Sequence, residues 1–279
     1  MAAIITLTTD FGVQDTYVAA MKGVILDINP RVTLVDICHS IEPQNIRQAA
    51  FLISTAYGYF PKGTIHMVIV DPEVGSQRRA IMLKTRKAFF LAPDNGVLSY
   101  IIHRPSPKRG LSKAEPKGLP PGLQAIEISN PKFWHHPVSS TFHGRDIFAP
   151  VAAHLSLGVP LQEFGQAITS LKAFPLPKPQ LGARGELIGH ILHIDRFGNI
   201  ITDIDREDLP SDNFSVEIAG QQIESLSTSY AEADQLLALI GSSGHLEIAV
   251  KNGSAAGLLG AKIGDEVRVK RETSRGGKQ

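Results

Sequence analysis

Cysteine is almost missing from this chain: Cys38 is the only one in 279 residues. No disulfide and no cysteine-ligated zinc can form within one chain, and a reducing, cytoplasmic setting is expected. Charge of neither sign prevails: Lys+Arg 28 against Asp+Glu 27 leaves +1. That balance excludes the broad basic face of a general nucleic-acid or acidic-membrane binder. No apolar run reaches bilayer-spanning length. A strand pattern that starts at Ile4 leaves no room for a signal peptide. GxGxxG and GxxxxGK followed by Ser or Thr are both absent, so the usual nucleotide loops are not expected. GxSxG, HExxH and other metal spacings are absent too, and no metal site is expected. There is no internal repeat.

What is present is organised around Thr64–Arg79. Residues 65–70 are apolar and rich in β-branched types, preceded by Pro61-Lys62-Gly63, and predict a buried strand. Asp71 ends it and Pro72, lacking a ladder N–H, stops it. A carboxylate at the carboxyl end of a buried parallel strand stands where open α/β sheets place their ligands. Gly75-Ser76 turns the chain, and Arg78-Arg79 are expected to bring two cations back to Asp71. Such a pair is either poised for catalysis or a structural ion pair closing a corner.

Around that stretch, Ile4–Thr8 and Val32–Ile37 predict strands, and Val18, Met21, Ile25 and Ile28 predict an amphipathic helix that Asp15 can cap. Ile46, Ala49, Ala50 and Ile53 predict a second helix. Ala80–Thr85 and Ala88–Ala92 predict an antiparallel hairpin about Arg86-Lys87, and Pro93-Asp94-Asn95-Gly96 a turn. Residues 104–124 read as a surface loop, Ala125–Ile128 as a strand and Ile147 to about Leu157 as a helix. Alternating strands and helices argue for an α/β domain with a mostly parallel central sheet over residues 1–173. Pro175, Pro177 and Pro179 mark a linker over 174–185. From 186 to 279 short strands recur: Ile188–Ile194 in alternation, Phe214–Ile218, Leu246–Val250 and Glu266–Lys270. A short helix is expected at Ala231–Leu239. This half reads as a smaller, mainly-β, barrel-like domain, with the basic run Lys270–Lys278 as a solvated end.

Individual residues leave alternatives open. Asp10 and Asp15 are too sparse for a hard cation, which wants several oxygen ligands. The calcium-dependent nucleoside hydrolases have a denser aspartate cluster after their first strand. Asp10 suits a ribose better, because one carboxylate can accept from both hydroxyls of a cis-diol. In Asp195-Arg196-Phe197-Gly198-Asn199 an aromatic, a glycine and an amide can receive a purine, or form a β-bulge with a turn asparagine. Ser242-Ser243-Gly244 and Asn252-Gly253 are turn candidates. His39, His66, His135, His136 and His143 each read alone as hydrogen-bonded structural histidines.

Taken in order, Thr9-Asp10-Phe11-Gly12, Val35–Ile41, Val70–Gly75 with Arg78-Arg79, Pro93–Gly96, Thr141–Asp146 and Asp195–Asn199 resemble the S-adenosyl-L-methionine hydroxide adenosyltransferases, relatives of the fluorinase and chlorinase. The resemblance runs from Ile4 to about Lys270. It implies an N-terminal α/β domain, a C-terminal β domain and a homotrimer with ligand sites at subunit interfaces. It implies metal-free, cofactor-free attack of water or hydroxide on C5′ of S-adenosyl-L-methionine, giving adenosine and L-methionine. By that resemblance Asp71, Arg78 and His143 hold and activate the water, with Asp71 and His143 accepting from it. Asp10 binds the ribose, Phe197 and Asn199 take the adenine near Gly253, and Asp195 and Ser243 hold the methionine end. Asp71 departs from the halogenating relatives, which carry tyrosine there, and a carboxylate repels a halide. His143 also differs from their residue, and Gln44 stands where the fluorinase has an aromatic beside the ribose. Glu73 has no assigned role. The readings in competition are a hydrolase, a non-catalytic binder of adenosine or S-adenosyl-L-methionine, and a halogenase.

Overall fold

β1 (Ile4–Thr9), β2 (Thr33–Cys38) and β3 (Ile65–Ile69) form where β-branched and aliphatic residues predominate, with Asp36 in β2 and His66 in β3 among the exceptions. They pair in parallel, with β1 in the middle. β4 (Ala80–Lys84) and β5 (Phe89–Pro93) are the expected hairpin, and β5 lies parallel to β3 on its free side. β6 (Gln124–Ile128) and β7 (Gly165–Ile168) complete the sheet in the order β2-β1-β3-β5-β4-β6-β7. The strands β2, β1, β3, β5 and β6 run one way; β4 and β7 run the other. The computed structural model describes residues 2–103, 118–210, 213–232 and 235–271. Of the loop expected over 104–124, residues 104–117 lie outside the described residues, as does the basic tail past Arg271, and Gln124 already belongs to β6.

β3 is buried on both faces, which is why its sequence is apolar except at His66, whose Nδ1 is paired with Thr6 Oγ1. Its period of two feeds two cores. Ile65, Met67 and Ile69 join α1 (Tyr17–Ile28) and α4 (Ala149–Ser156) in one layer. Val68 and Val70 join α2 (Ile46–Ala56) and α3 (Ser99–Ile102) in the other. α2 is capped by Asn45, whose side chain accepts from the Gln48 N–H. Asp15 does not cap α1: Thr16 holds the cap position, no side chain bonds there, and Asp15 is exposed.

The helix expected from Ile147 begins earlier, as a wide π turn over Gly144–Phe148 that runs into α4. Pro150 gives a reason. It has no N–H to return to the Asp146 carbonyl, and that carbonyl accepts from the His135 N–H instead, at 2.8 Å.

The chain divides into two compact units, Met1–Leu176 and Pro177–Gln279. Within the stretch read as linker, β8 (Gln180–Leu181) pairs with β9 (Leu187–Ile194). The second unit is antiparallel: β10 (Ile200–Asp205), β11 (Phe214–Ile218), β12 (Gln221–Ile223), β13 (Leu236–Ile240), β14 (His245–Val250) and β15 (Glu266–Arg271), with the short α5 (Ala255–Leu259) after β14. Their order is β12-β11-β15-β9-β10-β14-β13, and Leu226 bridges back to Ala238 of β13, so the sheet nearly closes on itself around one core. The helix expected at Ala231–Leu239 is replaced by β13. Leu236-Leu237-Ala238-Leu239-Ile240 favours a helix by composition, but barrel closure sets it against β14 over its whole length.

Candidate active site

The first unit gathers its candidate site residues about the carboxyl ends of β1, β2 and β3, the edge where parallel sheets hold ligands. Asp71 follows β3. Arg78 returns to it after the Gly75 turn: Nε donates at 2.8 Å to Oδ2 and 3.1 Å to Oδ1, and Nη2 lies 2.6 Å from Oδ2. The two side chains are only 6% and 2% exposed, so the pair is withdrawn from water and charge-balanced internally. Arg78 also stands over the Phe148 ring, 5.7 Å from its centroid.

His143 completes the group. Arg78 Nη2 donates to its Nδ1 at 2.6 Å. A guanidinium only donates, so Nδ1 carries a lone pair and the neutral ring has its proton on Nε2. Burial, followed by the Arg78 cation, pushes the His143 pKa below the ordinary imidazole value, which keeps that form. This corrects one expectation. The free nitrogen of His143 is a donor, so of the two side chains only Asp71 has the lone pairs to accept from a water.

The backbone that brings these residues together is tight. Gly75 has φ +80°, and a Cβ there would lie 2.3 Å from the Ser140 carbonyl oxygen, so the 71–78 loop rests directly on the segment leading to His143. Fully buried Asp146 holds that segment by accepting from the Ser139 N–H at 2.8 Å and from Arg145 at 2.6 Å. Burial pushes the Asp146 pKa up, but Arg145 and the Ser139 N–H outweigh it and leave it lowered.

Arg79 does not reach Asp71, contrary to expectation. It binds Asp94, with Nε 2.9 Å from Oδ2, and Asp94 also accepts from the Lys172 N–H. Asn95 Nδ2 donates to the Val70 carbonyl at 2.8 Å and pins the end of β3. These two support residues come from Pro93–Gly96, where the sequence signalled only a turn. Glu73 is exposed, 3.6 Å from Lys172 Nζ.

Asp10 follows β1, one strand over from Asp71. Its Oδ2 accepts from the Gln44 N–H at 2.7 Å, and Gln44 takes a positive φ of 66° to make that contact. Oδ1 and the remaining lone pair of Oδ2 are left for a ligand.

In the second unit, Asp195–Asn199 is the turn between β9 and β10, not a bulge within one strand. Asp195 is committed to that turn: Oδ1 accepts from the Phe197 and Asn199 N–H groups at 2.8 and 2.9 Å, and Oδ2 from Asn199 Nδ2 at 3.0 Å. The turn holds Phe197 78% exposed. Gly198 packs on Ser254, leaving 2.0 Å between a would-be Cβ and Ser254 Oγ, so the Phe197 turn and the Asn252-Gly253 turn are neighbours. Ser243 is elsewhere. It lies in the turn before β14, whereas Gly253 follows β14, so the strand separates them by roughly 20 Å. Beneath β14, Tyr230 Oη donates to buried Glu247 at 2.6 Å. Burial raises both pKa values, that of Tyr230 to about 12. Among the described residues no three His, Cys, Asp or Glu gather as a metal site, and no helix is long and apolar enough to cross a membrane.

Comparison with known proteins places the chain. Residues 5–165 match the SAM hydroxide adenosyltransferase N-terminal domain and residues 189–268 the C-terminal domain of the same family. A Thermus thermophilus protein named (R)-S-adenosyl-L-methionine hydrolase is 37% identical over 94% of this chain and 97% of its own. A Salinispora tropica protein of the same name is 36% identical over 95% and 97%. A Nocardia brasiliensis fluorinase is 28% identical over 96% of each chain. The crystal structure of an uncharacterized conserved protein from Thermotoga maritima superposes with a TM-score of 0.84 at 35% identity, covering 96% of this chain and all of that one. The chain belongs to the SAM hydroxide adenosyltransferase family.

Proposed function

We propose that this protein is an enzyme that hydrolyses S-adenosyl-L-methionine to adenosine and L-methionine, by attack of water on C5′. Relatives carrying the hydrolase name over nearly the full length support the activity. The observation that carries the mechanism is the buried Asp71–Arg78–His143 array.

The chemistry asks little of a general acid. The sulfonium is a cationic leaving group and departs as a neutral thioether. What the reaction needs is a desolvated nucleophile aligned with the C–S bond. Asp71 accepts a proton from the water as it attacks. Arg78 stabilises the developing hydroxide character and fixes the Asp71 carboxylate by its bidentate fork. His143 directs its Nε2–H as a donor, orienting the water oxygen. No step calls for a Lewis acid or a cofactor. Asp10 takes the ribose diol, Phe197 and Asn199 take the adenine beside Gly253, and Ser243 takes the methionine end, while Asp195, expected at that end, instead shapes the adenine turn through its bonds to Phe197 and Asn199. The wide separation of Ser243 from Gly253 suits an extended ligand. The reading includes a homotrimer, in which the exposed Phe197 turn of one copy covers adenosine held by the next; an aromatic exposed in the single chain is what supports it. Asp71, an anion at the site of attack, disfavours a halide as nucleophile.

Incubation of purified protein with S-adenosyl-L-methionine, followed by chromatography, tests the reading. Equimolar adenosine and methionine are expected. Tight adenosine binding with no turnover would make the protein a binder instead.

A further inference from the structure

The Val35–Ile41 stretch carries a histidine that the proposed mechanism does not use. His39 is buried beside Asp10 and grips the loop on both sides of it. Its Nδ1 stands 2.8 Å from Thr9 Oγ1, immediately before Asp10. Its carbonyl accepts from the Gly12 N–H at 2.8 Å, two residues after Asp10. Thr9 Oγ1 also accepts from the Phe11 N–H at 3.3 Å. On the far side, His39 Nε2 lies 3.0 Å from Asp36 Oδ1, and Lys22 Nζ donates to Asp36 Oδ2 at 2.5 Å. Burial acts to raise the Asp36 pKa, but Lys22 and His39 leave it lowered, so Asp36 is an anion facing the ring.

These contacts fix the wiring. The 3.0 Å approach of Nε2 to Asp36 is a charge contact rather than an aligned hydrogen bond. A ring lone pair facing the Asp36 anion at that distance would be repelled, so Nε2 carries the ring proton. In the neutral ring Nδ1 is then the acceptor, and the Thr9 hydroxyl points its hydrogen at it. That turns the Thr9 oxygen lone pairs toward the Phe11 N–H. Thr9, Phe11 and Gly12 are thereby held from one side chain and one carbonyl of a single residue, and the carboxylate between them is presented in one direction. Nothing else in the proposed chemistry requires a histidine here.

We infer that His39 is a positioning residue, which sets Asp10 for the ribose diol through its hydrogen bond with Thr9. The inference rests on the reading of Asp10 as the diol acceptor. The test compares two substitutions of opposite wiring in the full-length protein. In His39→Asn the amide oxygen reaches the Nδ1 position and preserves the acceptor for Thr9. In His39→Gln the amide reaches the Nε2 position, preserving the Asp36 contact and abandoning Thr9. Adenosine affinity is measured by calorimetry, alongside kcat and KM for S-adenosyl-L-methionine.

His39→Gln is expected to weaken adenosine binding and raise KM by roughly 3- to 10-fold, the worth of one hydrogen bond, with kcat within about twofold. His39→Asn should stay near wild type. Thr9→Val should repeat the His39→Gln loss and Thr9→Ser should not, which keeps the test open if a histidine variant fails to fold. Equal behaviour of the two His39 variants, or a fall in kcat with KM unchanged, would overturn the inference. Asp10→Ala separates the two failures. If it weakens adenosine while the His39 and Thr9 pairs are silent, only the positioning role falls. If it leaves adenosine affinity unchanged, the diol reading falls and the positioning role with it.

Discussion

Arg78 Nη2 stands 2.6 Å from His143 Nδ1. One guanidinium thus links the buried carboxylate to the imidazole, and it dictates which nitrogen of the ring bears hydrogen. The histidine is locked as a donor by its neighbour's inability to accept.

That linkage predicts how the three residues fail. Asp71→Asn and His143→Ala should each lower single-turnover adenosine release by roughly 10²-fold or more, with little change in substrate binding. Their effects should not add, because both act on one water. Arg78→Ala should cost a comparable factor, and Arg78→Lys should recover part of it, since a point charge cannot fork across Asp71 and His143. Near-normal rates in all three alanine or asparagine variants would place the water elsewhere and leave Asp71 as a corner ion pair.

Hydrolysis should survive chelation. A departing thioether needs no charge neutralisation, and the nucleophile is stabilised by Arg78. Assays with and without EDTA should agree. Activity abolished by the chelator and restored by one divalent ion would overturn the mechanism.

Light scattering should report a trimer, with activity falling on dilution as copies separate. A monomer of undiminished specific activity would remove the interface from the proposal.

Stability should depend on pH through His66. The ring is fully buried, stacked on Phe90, and bonded to Thr6 at 2.8 Å. Burial, with a smaller push from Lys87, lowers its pKa from 6.5 to about 4. Above pH 6.5 neither folded nor unfolded chain binds this proton. As pH falls below 6.5 the unfolded chain takes it first, so stability drops until about pH 4, by at most about 3 kcal/mol. Denaturant titrations across that window should show the slope, and His66→Phe should flatten it. An unchanged slope in the variant would assign the effect to other groups.

Part of the fold and of the candidate site is legible in the sequence. β3 and its terminal Asp71 are legible because a strand buried on both faces is mostly apolar, His66 apart, and must then stop. Arg78 is expected beside Asp71 from the turn between them, whereas His143, 65 positions further on, is singled out only through the ordered motifs. Other features depend on partners that local sequence does not name. β13 has helix-forming residues and became a strand because β14 needed a neighbour. Arg79 went to Asp94 because the hairpin brings β4 beside β5, a pairing that its adjacency to Arg78 concealed. The donor role of His143 follows from a contact between residues 65 positions apart.

β3 also has a bearing on how the site can vary. Ile65, Met67 and Ile69 face the α1–α4 layer while Val68 and Val70 face the other, and Phe148, under Arg78, belongs to the first layer. Asp71 is in phase with Ile69. The aim of the carboxylate is therefore a matter of parity. Losing one residue from β3 would exchange the two layers and turn Asp71 away from Arg78. Losing two would shorten the strand and keep the phase. Length changes in this strand should be tolerated, if at all, only in even steps, whereas the exposed turn at Arg86-Lys87 carries no such arithmetic.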